Sequence, residues 1–119
     1  MDSRADAARR FAGVLGWVCY GSIPGRPKAI ALAEHNGAPI VWVPEPDAPL
    51  HEHLAFVGRV AEAIGEDAFV SVERIEDEIV DDTLEVTWRV MCSSIGIAAS
   101  DLSWAALLAA AAAKEVDHG

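Results

Sequence analysis

From Arg4 to Leu15 the apolar residues Ala8, Phe11, Ala12 and Leu15 fall at i, i+3, i+4 and i+7, which is one face of a helix. Ser3 stands at its N-cap position, and Asp6 suits the positive end of the helix dipole. Gly16 can end the helix and let Trp17 fold back onto the core. Trp17-Val18-Cys19-Tyr20 can form a short strand. Gly21-Ser22-Ile23-Pro24-Gly25-Arg26-Pro27 reads as a loop, because two prolines and two glycines in seven residues oppose regular structure. Its glycines lack the spacing of a phosphate loop. Asn36-Gly37 predicts a type I′ hairpin turn, since both central residues of that turn take positive φ. A strand from Ala29 to Glu34 precedes it, and another from Pro39 to Val43 follows. Pro39 donates no ladder bond, so it belongs at a sheet edge or a strand start. Ile40 and Trp42 share one face and Val41 and Val43 the other, which predicts a sheet covered on both sides.

Pro44-Glu45-Pro46-Asp47-Ala48-Pro49 predicts a rigid connector, with Asp47 capping a second helix and Pro49 in its first turn. On that helix Leu50, Leu54, Val57, Ala61 and Ile64 form a stripe, widened by Phe56 and Val60, and Gly65 stops it. Ala68 to Glu73 predicts a strand. From Thr83 to Cys92, Leu84, Val86, Trp88, Val90 and Cys92 alternate with Glu85, Thr87, Arg89 and Met91, the clearest strand pattern in the chain. The acidic segment 74–82 joins the two as a long hairpin loop, and Ser93 to Ala98 either continues the sheet or turns out of it. Ser100 or Asp101 caps a last helix from Leu102 to about Lys114, and residues 115–119 form a frayed tail. The alanines of that helix permit close approach to the sheet or to a twin helix in a dimer. The order α-β-β-(β)-α-β-β-α predicts one α+β domain over residues 1–119. Its antiparallel sheet of four to five strands packs with three helices as a layered α/β/α sandwich.

Composition narrows the class. The 119 residues are 52% hydrophobic and carry a net charge of −10. A chain of this length buries roughly 65% of its unfolded surface and needs no disulfide or metal staple. Two cysteines are too few for a disulfide framework, and the charged N-terminus precedes no apolar signal region, so a cytoplasmic, reduced setting is expected. No apolar run reaches the ~18 residues of a membrane span. The charge repels nucleic acid, and the nine basic residues are scattered rather than striped, so direct nucleic-acid and membrane-surface binding are not expected. The acids are concentrated: Glu73, Glu76, Asp77, Glu78, Asp81, Asp82 and Glu85 face only Arg74 within their segment. That run is either a solvated hairpin tip or an acidic surface for a basic partner.

Several patches resemble a known family. Val14-Leu15-Gly16-Trp17 closes the first helix, Asp47-Ala48-Pro49 opens the second, and Phe69-Val70-Ser71-Val72 pairs with Glu85-Val86-Thr87-Trp88-Arg89-Val90. Ala98-Ala99-Ser100-Asp101 then leads into Trp104-Ala105-Ala106-Leu107-Leu108-Ala109. Together they resemble the phage ABA-sandwich domain family, scattered from about Val14 to Ala113. Two features depart from that family: Pro46-Asp47-Ala48 replaces its Ser-Thr-Asp helix lead, and the final alanines lack its basic residue. The resemblance implies an α/β/α sandwich of phage or prophage origin and supplies no catalytic residue.

Other chemistry is thin. His51-Glu52-His53 suggests a metal pair, but on a helix i and i+2 point about 200° apart and cannot share an ion. Two exposed histidines at a helix start are expected instead. Cys92 shares the apolar strand face with Trp88 and Val90 and is expected to be a buried thiol. The acidic segment lacks the central glycine and spacing of a calcium loop. Neither metal nor cofactor is expected, and an exposed member of the set Trp17, Trp42, Trp88 and Trp104 would be an interface hot spot. The expected function is a non-catalytic protein-interaction module, homodimeric, in which Glu76, Asp77, Glu78, Asp81 and Asp82 cover a basic surface of a partner, as an anti-CRISPR-like inhibitor would. One alternative is a chaperone like those of type III secretion class I, dimers that hold an extended effector segment. The other is a small hydrolase or transferase using His51 and His53 with an acid.

Overall fold

The computed structural model describes residues 4–23, 25–35, 39–65, 70–80, 83–93 and 95–118, with side chains left aside at 23, 26–27, 76–80, 83–86 and 116–118. The elements run α1 (Arg4–Leu15), β1 (Val18–Ile23), β2 (Arg26–Ala33), β3 (Val41–Val43), α2 (Leu50–Ile64), β4 (Val70–Val80), β5 (Thr83–Cys92), β6 (Ile95–Ala99) and α3 (Leu102–His118). The α+β class is as expected. The strands, however, form two three-stranded antiparallel sheets, β1-β2-β3 and β4-β5-β6, rather than one sheet of four to five strands.

α1 buries Ala7, Ala8, Phe11 and Ala12, the face its spacing predicts. Gly16 takes φ +74°, and the Trp17 N–H donates to the Ala12 carbonyl at 2.7 Å. That turn brings the Trp17 ring edge-on to Phe11, with centroids 5.4 Å apart.

Residues 21–23 and 26–27, expected as loop, extend the strands on either side. β1 and β2 pair from Val18↔Ala33 to Ile23↔Arg26, with register shifts on either side of Gly21. Gly21 and Gly25 have φ of +78° and +90°, so the glycines that read as breakers accommodate a bulge and a turn. Along β2 the residues Ala29 to Ala33 are all buried, so that sheet is covered on both faces. β3 pairs with β2 through Ile30↔Val43, Ala31↔Trp42 and Leu32↔Val41. This register is centred on sequence positions 36 and 37, and the Asn36-Gly37 pair itself lies outside the described residues.

α2 opens without the expected cap. Pro49 occupies the N-cap position, no side chain caps the helix, and the Glu52 N–H donates to the Pro49 carbonyl at 3.0 Å. Its buried face is His53, Phe56, Val57, Val60 and Ile64, whereas Leu50 and Leu54 are exposed. The buried stripe is therefore displaced from the one expected.

The segment predicted as a loop, 74–82, is largely strand. β4 pairs with β5 from Val70↔Cys92 to Val80↔Thr83, with a register shift between Glu76 and Ile79. β6 pairs only with Trp88 to Cys92 of β5. Beyond Arg74↔Trp88 the ladder is thus a two-stranded ribbon.

α3 is the hub of the core. It packs against α1, α2, β5 and β6, and Leu102, Ala105–Ala111 and Ala113 are buried within the single chain. Its small side chains allow neighbouring elements close approach, so the alanine face is consumed internally and offers nothing to a twin helix. The helix continues past Lys114 to His118. Arg10 grips Glu115 through two hydrogen bonds of 2.6 Å and holds its carboxyl below the ordinary range.

Candidate functional site

Asp101 ends the link from β6 and caps α3. Its Oδ1 accepts the backbone N–H of Ser103 at 3.1 Å and of Trp104 at 3.4 Å, satisfying donors that a helix start leaves open. Its Oδ2 accepts the Arg4 Nε–H at 2.5 Å. The same guanidinium donates to the Lys28 carbonyl at 2.8 Å and to the Pro44 carbonyl. One side chain at the start of α1 therefore fastens α3, β2 and the exit of β3. His53, on the buried face of α2, completes the junction. Its Nδ1 lies 2.7 Å from Ser103 Oγ and 3.8 Å from Asp101 Oδ1.

The trio Ser103, His53 and Asp101 invites comparison with a hydrolytic triad. In that device the serine and the carboxylate engage opposite ring nitrogens, so the imidazole can pass a proton between them. Here both face Nδ1, and Ser103 is wholly buried. The set is arranged as a structural junction, not as a proton relay. His51 is exposed and takes no part in it. The expectation of two exposed histidines thus holds for His51 and fails for His53. A sequence signal existed: His53, Phe56, Val57, Val60 and Ile64 are spaced i, i+3, i+4, i+7 and i+11. The competing Leu50 and Leu54 hid it. Arg4 and Asp101, 97 positions apart, carried no such signal.

Two concavities flank α2. One, of about 330 Å³, lies beside the junction and includes Leu50, His53, Arg74, Trp88 and Asp101 in its lining. The other is a groove of about 500 Å³ between β3 and α2. Ile40, Trp42 and Pro44 supply its strand side, and Glu52, Ala55, Phe56 and Arg59 its helix side. Ile40 is 43% exposed, an uncovered aliphatic side chain at the groove.

Of the five acidic residues singled out from sequence, three fall on the described ribbon. Glu76, Asp77 and Glu78 belong to the backbone of β4, with side chains outside the description, and Asp81 and Asp82 lie outside the described residues altogether. Glu73, at the base, is exposed and pairs with Arg89 at 3.3 Å. Among the described residues no group of three or more His, Cys, Asp or Glu could hold a metal, and no helix is long and apolar enough to cross a membrane. Cys19 and Cys92 are unpaired thiols, and burial pushes the Cys92 thiol up to about 11. The four tryptophans are all partly buried. The Trp104 indole N–H is buried without a partner among the described residues.

Compared with known protein families, curated proteins and solved structures, the chain matches none.

Proposed function

We propose that the chain is a non-catalytic protein-interaction module that acts by occlusion. In this reading Glu76, Asp77, Glu78, Asp81 and Asp82, which the sequence concentrates between Arg74 and Thr83, cover a basic surface of a partner protein. The observation that carries it is the ribbon itself. β4 and β5 outrun β6 there: Glu76 pairs with Val86 and, past a register shift, Ile79 and Val80 pair with Leu84 and Thr83. A regular ribbon loses less conformational entropy on binding than a loose loop would. A phage or mobile-element inhibitor of a nucleic-acid-handling complex, working in the cytoplasm, fits this charge and size. A homodimer belongs to the same reading, and the open edge of β4, not α3, is the surface it would use. The test is charge reversal of Asp77, Glu78, Asp81 and Asp82, with binding measured to a basic protein that co-purifies stoichiometrically after nuclease treatment. At least about tenfold weaker binding is expected, as for the loss of interfacial charge pairs. Unchanged affinity would sink the occlusion model.

A chaperone-like reading is favoured by one specific observation. The observed order α-βββ-α-βββ-α has three strands before α2, as in the α-βββ-α-ββ-α order of those chaperones, and one strand more than that order after it. The hydrolase reading loses ground, since His51 and His53 do not meet and Ser103 is enclosed.

A further inference from the structure

We infer that the groove between β3 and α2 is a docking site for a basic protein segment that carries two or three apolar anchor side chains. The inference is independent of the acidic ribbon. The floor is apolar: Ile40, Trp42, Pro44, Ala55 and Phe56 line it. Ile40 is 43% exposed, and Ala55 is exposed too, so apolar surface stands in water there. The groove is about 10 Å long, from three strand residues at ~3.3 Å each and from the Glu52–Arg59 face at ~1.5 Å per residue. That length seats two turns of a helix or three extended residues.

The charge around the groove selects the occupant. Among the described residues Arg59 is its one lining cation, and it is already engaged by Glu62 at 3.0 Å and Glu34 at 3.4 Å. Glu52 adds a further exposed carboxylate on the lining. Two carboxylates thus hold the one guanidinium and a third, Glu52, stands apart on the lining, on a chain whose net charge is −10. A second copy of the chain would bring like charge to this rim, and a basic segment brings the opposite. Strand addition is disfavoured as the mode of capture. β3 has only three residues, and Pro39 and Pro44 on either side offer no N–H. Recognition therefore runs through side chains in the groove.

The test presents the full chain to a display library of random peptides about sixteen residues long, a length that covers the groove with flanks. Selected peptides are then labelled and titrated. Enrichment of sequences joining apolar residues to Lys or Arg is expected. Ile40→Glu and Ala55→Glu should each weaken them at least about tenfold, as blocking a central anchor pocket does. Both positions are exposed, so the thermal midpoint should hold. Glu52→Lys should weaken binding and reduce its salt dependence. Converting the five ribbon acids to amides should leave binding within about threefold, which separates this site from the proposed occlusion surface. The inference is overturned if nothing enriches, if acidic or purely apolar peptides win, or if Ile40→Glu binds like the parent. It is equally overturned if the protein is a dimer that Ile40→Glu dissociates, since the groove would then belong to a second copy.

Discussion

Replacing Asp101 tests the junction most directly, because its carboxylate does two separable jobs. One oxygen caps α3 and the other holds Arg4. Asp101→Ala removes both. Loss of an N-cap costs about 1 kcal/mol. Loss of the charge-assisted bond to Arg4 adds about 2 kcal/mol, because both side chains are largely withdrawn from water, at 15% and 8% exposure. The full penalty of an orphaned buried charge, roughly 3–5 kcal/mol, is not reached, since Arg4 keeps the Lys28 and Pro44 carbonyls. The expected total is about 3 kcal/mol, or roughly 12 °C in Tm for a domain of this size. Asp101→Asn keeps an oxygen for the cap and loses only the charge, so about 1.5 kcal/mol is expected. A cycle with Arg4→Ala should return a coupling energy of about 1.5–2 kcal/mol. Urea melts at constant m-value supply all four corners. Equal losses for Asp101→Ala and Asp101→Asn, or a coupling below about 0.5 kcal/mol, would refute the division of labour.

Three further outcomes follow from local geometry. Gly65 closes α2 at φ +102° and ψ 158°, a region nearly reserved for glycine, so Gly65→Ala should cost about 1–3 kcal/mol in a denaturant melt. A Cβ on Gly96 would meet Met91 Sδ at 2.5 Å, but the thioether is flexible, so Gly96→Ala should cost only about 1 kcal/mol. Adding Met91→Ala should then be less harmful than the separate effects imply, because the clash is gone. The Cys92 thiol, raised by burial from 9.0 to about 11, favours the protonated folded state. Its contribution is complete below the unfolded value and is lost as pH climbs through the window from 9.0 to about 11. Stability of Cys92→Ala should accordingly fall less steeply with pH there, and a thiol reagent should label Cys19 before Cys92 in the native protein.

The helices were legible because each carries its own period. Arg4–Leu15 matches its predicted span, Leu50–Ile64 starts later than the Asp47 cap implied, and Gly16 and Gly65 stop them as their φ values require. The strands were most legible where alternation was unbroken, as in Thr83–Cys92, and around the Asn36-Gly37 pair. Gly21 hid the second half of β1 because a bulge glycine and a loop glycine look alike in sequence, although one serves a ladder and the other ends it. The shift between Glu76 and Ile79 likewise erased the period-two signature of the acidic strand. Charge there suggested a loop, yet backbone pairing is indifferent to what the side chains carry. The junction was hidden for a different reason. Arg4, His53 and Asp101 each look ordinary in their own windows, and only the packing of α1 and α2 on α3 brings them together.

Arg4 with Asp101 and Arg10 with Glu115 run in the same order along both helices, so α1 and α3 lie side by side in the same direction. During translation the first of these helices emerges long before the second. Until Leu102 and the residues after it leave the ribosome, Phe11 and its alanine neighbours lack the surface that will cover them. The nascent chain can collect hairpins as it lengthens, but it cannot close. Completion awaits release of α3, and a stalled or truncated product lacking that helix would expose the apolar face of α1 to whatever holdase meets it first.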